Sequence, residues 1–185
     1  PLDATTVDRP PMGVPAAILP STGSSRVSLA AAGGWPASTS CGLKAWRPRG
    51  GAAVVAIDAE GRVCLLRQFR HAAGGWLTEL PAGKLDGGEP PLECARRELA
   101  EEAGVSARRW EKLGEFFSSP GVLTEVIHLF LARDLEPADA SPEDHEVLEV
   151  TWVPLRAAVD LAASGQMQDA KSLIGLLWAR EREIA

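Results

Sequence analysis

Three glutamates, Glu98, Glu101 and Glu102, crowd into one short stretch, and Arg97 stands directly before them. Like charges one helical turn apart repel and slightly weaken a helix, so the crowding calls for a chemical reason. If the stretch is helical, Glu98 and Glu102 at i, i+4 point the same way, and Glu101 is i+3 from Glu98. Hard oxygen ligands from one helical turn suit Mg2+ or Mn2+. A bound cation would cancel the repulsion and bridge the phosphates of an anionic substrate. Arg97 is placed to pair with Glu93, Glu101 or Glu89 and so hold carboxylates in position. Composition alone supports a blander alternative, an amphipathic helix with a solvated charged face.

The order of the residues favours the first reading. Gly83 is followed after five residues by Glu89, and after seven more by Arg97, Glu98 and Leu99. Glu101, Glu102, Gly104 and Val105 complete the series. This segment resembles the Nudix box, G-x5-E-x7-R-E-U-x-E-E-x-G-U, where U is a bulky aliphatic residue, and every specified position matches. The flanks "RQFR" (67–70) and "ELPAGKLD" (79–86) resemble the ADP-ribose and ADP-sugar pyrophosphatase branch. So do Pro120, sixteen residues past Gly104 within "SSPGVLTE", and the late segment "VLEVTWVPL". The likeness runs from about Gly51 to Leu155.

The resemblance implies an α+β fold, a Nudix-type α/β/α sandwich with a mixed β-sheet. It implies metal-dependent hydrolysis of a nucleoside diphosphate joined to another moiety, with Mg2+ as cofactor and Mn2+ as a substitute. By position, Glu98 and Glu102 become the principal metal ligands, Glu101 assists, and the Ala82 carbonyl also touches metal. Arg97 and Glu89 become orienting residues, and Gly83 and Gly104 structural ones. The general base in this branch sits on a late mobile loop. Glu146 of "SPEDHEVLE" is the first choice and Glu143 the second, ahead of Asp144 and His145. Arg67 and Arg70 are candidates for phosphate or ribose, Pro120 for the substrate rim, and Glu79 for the terminal ribose or the metal loop. An adenine needs an aromatic platform. The chain has no tyrosine, leaving Trp46, Trp76 and Phe117 as candidates. Trp110, Trp152 and Trp178 read as packing residues, and His71 and His128 have no ligand-like spacing. N-terminal strands of this branch often swap in a homodimer, which the resemblance extends to this chain.

These residues need elements to position them. Residues 1–49 read as an N-terminal arm, Pro-, Ser- and Gly-rich at its start, with short strands at "RVSLA" and "LKAWR". Residues 50–185 read as the Nudix domain. "AAVVAID" and "VCLLRQF" flank the turn "EGR" and read as a hairpin. "WLTELPAG" reads as a short strand ending at Pro81. A helix runs from about Pro90, with prolines in its first turn, to Ala103, and Gly104 stops it. Leu92, Ala95, Leu99 and Ala103 form its apolar stripe, with the three glutamates off that stripe. "WEKLGEFFSS" and "EVIHLFLARDL" read as strands, "EPADASPEDHE" as an acidic loop, and "VLEVTWVPL" as the last strand. Two helices, "RAAVDLAASG" and "DAKSLIGLLWARERE", follow.

Bulk properties narrow the function. With 45% hydrophobic and 24% charged residues, the chain is able to bury a core. A formal charge of −6 argues against nucleic acid as partner. Cys41, Cys64 and Cys94 form no CxxC pattern, which fits a reducing cytoplasm rather than a disulfide framework or zinc site. No apolar run is long enough for a membrane span, and the N-terminus lacks signal-peptide patterning. The leading expectation is hydrolysis of ADP-ribose or a related ADP-sugar to AMP and a sugar phosphate. The alternatives are a Nudix hydrolase of GDP-mannose, NADH or a diadenosine polyphosphate, and a Nudix-fold binding module without catalysis.

Overall fold

A computed structural model describes residues 48–139 and 148–184. In chain order the elements are β1 (Gly51–Ala56), β2 (Arg62–Arg70), β3 (Gly75–Glu79), β4 (Ala82–Lys84), α1 (Pro91–Ala103), β5 (Val105–Phe117) and β6 (Val126–Pro137). β7 (Leu148–Pro154), α2 (Leu155–Ala163) and α3 (Ala170–Ile184) complete the order. A four-stranded sheet runs β4-β1-β6-β5, and a three-stranded sheet runs β3-β2-β7. The first sheet is mixed, because β1 and β6 are parallel while its other pairs are antiparallel. The arm over residues 1–47, with its expected strands, lies outside the described residues.

β1 and β2 do not form the hairpin that the sequence suggests. A tight turn joins them: Asp58 Oδ1 accepts the amides of Glu60 and Arg62, and one bridge links Ile57 to Val63. Beyond that bridge the strands part into separate sheets. All six β1 residues are buried, so the strand needs cover on both faces and partners on both edges. β4 and β6 supply those edges. The "ELPAG" stretch likewise does more than end a strand. Leu80 and Pro81 carry the chain from β3 in one sheet to β4 in the other, and the Pro81 carbonyl accepts the Val54 amide at 2.9 Å.

α1 begins at Pro91 and ends at Gly104, whose φ of 65° is the left-handed conformation glycine adopts without strain. β5 starts directly after that glycine, five residues before the expected strand. It lies at the sheet edge with a largely exposed, charged face, which conceals it from a hydrophobic scan. Two apolar layers result. Ala52, Val54 and Ala56 of β1 pack with Cys94, Ala95 and Leu99 of α1 and with Cys64 and Leu66 of β2. Ala53 and Val55 face the other way, onto Ala158 and Val159 of α2 and Leu176 and Ala179 of α3. Helices thus cover both faces, as a sandwich requires. Trp110 meets Phe130 edge-on at 6.5 Å, and Trp178 and Trp152 pack against the two clusters, as expected of packing residues. Cys64 and Cys94 are free and fully buried.

Candidate active site

A cleft of about 530 Å3 opens where β4, α1, the start of β6 and the start of α3 meet. Glu98, Glu101, Glu102 and Arg97 line one side, and Arg70 and Lys171 also face in. Ala82 and Gly83 of β4 lie in the lining too, with Glu125 at the entry to β6.

The carboxylate side is built from α1 and the loop before it. Arg97 Nε and Nη2 donate to the two oxygens of Glu89 at 3.1 and 3.2 Å, and its Nη1 donates to Glu98 at 2.8 Å and Glu101 at 3.0 Å. Its Nη2 also reaches the Lys84 carbonyl. One guanidinium therefore gathers three carboxylates and the loop. Glu93, the other partner considered for it, pairs with Arg96 instead. The Arg97 bonds hold the Glu89 carboxyl below its usual range. Glu102 lies deeper than a helix-face reading places it: it is 6% exposed, and its Oε2 accepts the Ala82 amide at 2.8 Å. That bond fixes the peptide whose neighbouring carbonyl is the expected metal contact. A Cβ at Gly83 would fall on the Glu98 carboxylate, so glycine leaves that side chain room to lie against β4.

The donor set fits a hard divalent cation in chemistry, with three carboxylates and a backbone carbonyl against one cleft. Among the described residues no three such side chains already converge as a metal cage. Glu98 and Glu101 are drawn to Arg97, and Glu102 to the Ala82 amide. Holding a cation calls for these side chains to turn from those partners.

The cationic side rests on a buried carboxylate. Glu79, 2% exposed, accepts two bonds from Arg70 at 2.8 Å and a third from Lys171 Nζ. Burial alone would raise its pKa. The hydrogen bonds and charges of Arg70 and Lys171 outweigh burial and lower it. Lys171 also donates to Asp169 Oδ1 at 2.9 Å. Asp169 in turn accepts the Ser172 amide and hydroxyl, and the fully buried Ser172 Oγ accepts the Leu80 amide at 2.7 Å. The first turn of α3 thereby grips the crossing between the sheets. Glu79 itself is not in the cleft lining; it acts on the cleft through Arg70 and Lys171.

The two arginines of "RQFR" part company. Arg70 lines the cleft, whereas alternation along β2 sends Arg67 to the opposite face. There Arg67 pairs with Glu149 at 3.2 Å and covers the Trp76 ring at 4.6 Å. Trp76 and Phe69 form an exposed edge-on pair on that same face. Trp76, Phe117 and Pro120 do not line the cleft. Pro120 sits in a turn where the Ser119 carbonyl accepts the amides of Val122 and Leu123. Trp46, Glu143 and Glu146 lie outside the described residues. Sequence reasoning missed Lys171, Asp169, Ser172 and Glu125. Only Glu125 carried a signal, as the acid ending the "SSPGVLTE" loop.

Comparison with known proteins places this geometry. The NUDIX domain family model matches residues 47–174. An ADP-ribose pyrophosphatase of Bacillus subtilis (strain 168) is 37% identical over 136 residues, covering 72% of this chain and 74% of its own. A GDP-mannose pyrophosphatase of Yersinia enterocolitica is 37% identical over 129 residues, covering 65% of this chain and 67% of its own. A crystal structure of an ADP compounds hydrolase superposes with a TM-score of 0.64 at 25% identity, over 72% of this chain and 73% of that one.

Proposed function

The chain belongs to the Nudix family, and from that premise we propose that it is a pyrophosphohydrolase cleaving the diphosphate of ADP-ribose or a related nucleoside diphosphate sugar. The observation that carries the reading is the meeting in one cleft of the α1 carboxylates with Arg70. The names of the relatives support nucleoside diphosphate sugars as the class. "RQFR", "ELPAG" and Pro120 favour ADP-ribose within it, yielding AMP and a sugar phosphate.

In this reading Glu98, Glu101 and Glu102, with the Ala82 carbonyl, hold a divalent cation, Mg2+ by choice of hard oxygen donors with Mn2+ as a substitute. When bound, the cation offsets the diphosphate charge and activates water. Arg97 and Glu89 hold the carboxylates in register. Arg70, with its Nη1 group not used by Glu79, takes a phosphate oxygen. Glu146, or Glu143 after it, accepts the proton of the attacking water, so that oxygen bonds to phosphorus as the diphosphate bridge breaks.

Turnover of ADP-ribose with Mg2+, followed by release of AMP, tests the reading. We expect it to exceed turnover of nucleoside triphosphates and to vanish with a chelator. Equal rates on triphosphates would sink the assignment. Homodimer formation through the arm over residues 1–49 belongs to the same proposal. Sedimentation of the full chain beside one lacking residues 1–47 checks it, and a full-length monomer refutes it. The free thiols Cys64 and Cys94 fit work in a reducing cytoplasm. Fractionation of the host cell tests that location, and recovery outside the cytoplasm would contradict it.

A further inference from the structure

Lys171 belongs to no part of the signature that identifies the family, yet it lines the cleft beside Arg70. Its side chain is only 16% exposed and is fixed from two sides, by Glu79 and by Asp169. An ammonium has three N–H donors. Two are spent on these carboxylates, and among the described residues no partner takes the third. A largely buried donor facing a polar cleft without a partner is a cost unless a ligand or water meets it.

The charges say which ligand. Arg97 is spent on three carboxylates of the acidic side, so it has little attraction left for an anion. Glu79 and Asp169 balance Arg70 and Lys171 in charge, but the two cations line the cleft and the two carboxylates do not. An anionic group entering the cleft therefore meets Arg70 and Lys171 side by side, with Lys84 of β4 as a further cation of the lining. Asp169 and Glu79 hold the ammonium in place beforehand, so little side-chain entropy is lost when it binds.

We propose that Lys171 is a substrate-contacting residue, whose third N–H binds a non-bridging oxygen of the substrate's diphosphate across from the α1 carboxylates. The proposal rests on the reading of this cleft as a nucleoside diphosphate site and adds to it a residue from the far end of the chain. It also accounts for the partnership with Asp169. That carboxylate turns Lys171 while its other oxygen ties Ser172, so the ligand contact and the α3 anchor share one residue.

The test uses the full-length chain with Mg2+. Binding of α,β-methylene-ADP and of adenosine is measured by calorimetry, beside ADP-ribose kinetics and melting temperature, for wild type, Lys171→Met, Lys171→Gln and Lys171→Arg. One lost charge-assisted hydrogen bond predicts about 10- to 100-fold weaker binding of the diphosphate in Lys171→Met. KM should rise with it, adenosine binding should stay unchanged, and Lys171→Arg should recover most of the loss. Should Lys171→Met fold poorly, Lys171→Gln keeps a donor for Glu79 and should lose diphosphate affinity in the same direction. Diphosphate binding within twofold of wild type in a folded variant, with only kcat or melting temperature lowered, would make Lys171 a mere brace for Glu79 and overturn the proposal. Wild type that binds no α,β-methylene-ADP would sink the functional reading as well, so the two failures are told apart.

Discussion

Glu98 and Glu101 on α1 are held by Arg97, one and four residues away, whereas Lys171 and Ser172 on α3 find their partners ninety-two residues back, at Glu79 and Leu80. Both helices bring charge to the same cleft. The α1 set is local and excess in negative charge, and its members are largely organised by the helix itself. The α3 set is charge-balanced, exists only once the chain has folded, and ties the crossing between the sheets. Damage to the first should therefore show mainly in chemistry, and damage to the second in stability as well.

Glu102→Gln is the strongest test of the α1 half. The amide keeps a carbonyl oxygen for the Ala82 N–H, so the fold should persist. Loss of the charge should lower kcat/KM on ADP-ribose at least about a hundredfold, since even groups that only orient metal ligands cost 10–100-fold. Circular dichroism alongside kinetics would show it. Activity within tenfold of wild type would break the assignment of α1 as the metal side.

Gly83→Ala attacks the same side without touching a charge. The methyl falls where the Glu98 carboxylate now lies and narrows the space beside β4 in which that side chain can settle against a cation. A misplacement of about 1 Å costs on the order of a hundredfold in rate, and that is the expected scale here. A variant that retained both full activity and a normal melting temperature would mean that Glu98 reaches its working position clear of the methyl.

Ser172→Ala probes the α3 half. It leaves the buried Leu80 amide without its acceptor, a loss of about 1–3 kcal/mol in urea-unfolding free energy. Unchanged stability would show that α3 does not grip the crossing. The same half carries an acid sensitivity. Glu79 has a folded pKa below its ordinary 4.5, so its contribution is full above that value and fades as pH falls through the folded pKa. The stability gap between wild type and Glu79→Gln should hold constant above about pH 4.5 and narrow below it. A gap that widened in acid would reverse the assigned direction.

The two halves also differ in how far the amino-acid sequence reveals them. The box spacing fixes α1, its glycine stop and its carboxylates because every member lies within a few turns of the others. Gly83 was legible as a required glycine, although its steric reason needs the Glu98 side chain in place. The sequence suggests a hairpin that does not form, because "AAVVAID" and "VCLLRQF" are largely apolar runs, and such runs do not say which neighbours they will pair with. In sequence, Asp169, Lys171 and Ser172 look like an ordinary helix start. Nothing nearby in the chain reveals that a buried glutamate and an amide at a sheet crossing await them.

Arg67 and Arg70 reduce the contrast to one strand and give the smallest expected effect. They stand three residues apart and look equivalent in "RQFR", but the pleat sends them to opposite faces. Arg70 braces a buried carboxylate in the cleft, while Arg67 makes an exposed pair with Glu149 and covers Trp76. Exposed pairs contribute about 0–1 kcal/mol, so Arg67→Ala should leave stability within that range. Its kcat/KM on ADP-ribose should stay within about twofold of wild type, well short of the 1.4 kcal/mol that a tenfold loss represents. Arg70→Ala, measured beside it, should lose both stability and rate, because it leaves Glu79 buried with Lys171 alone. If the two variants fell equally in rate, Arg67 would have to reach substrate from the far face, and pleat alternation would not be what separates them.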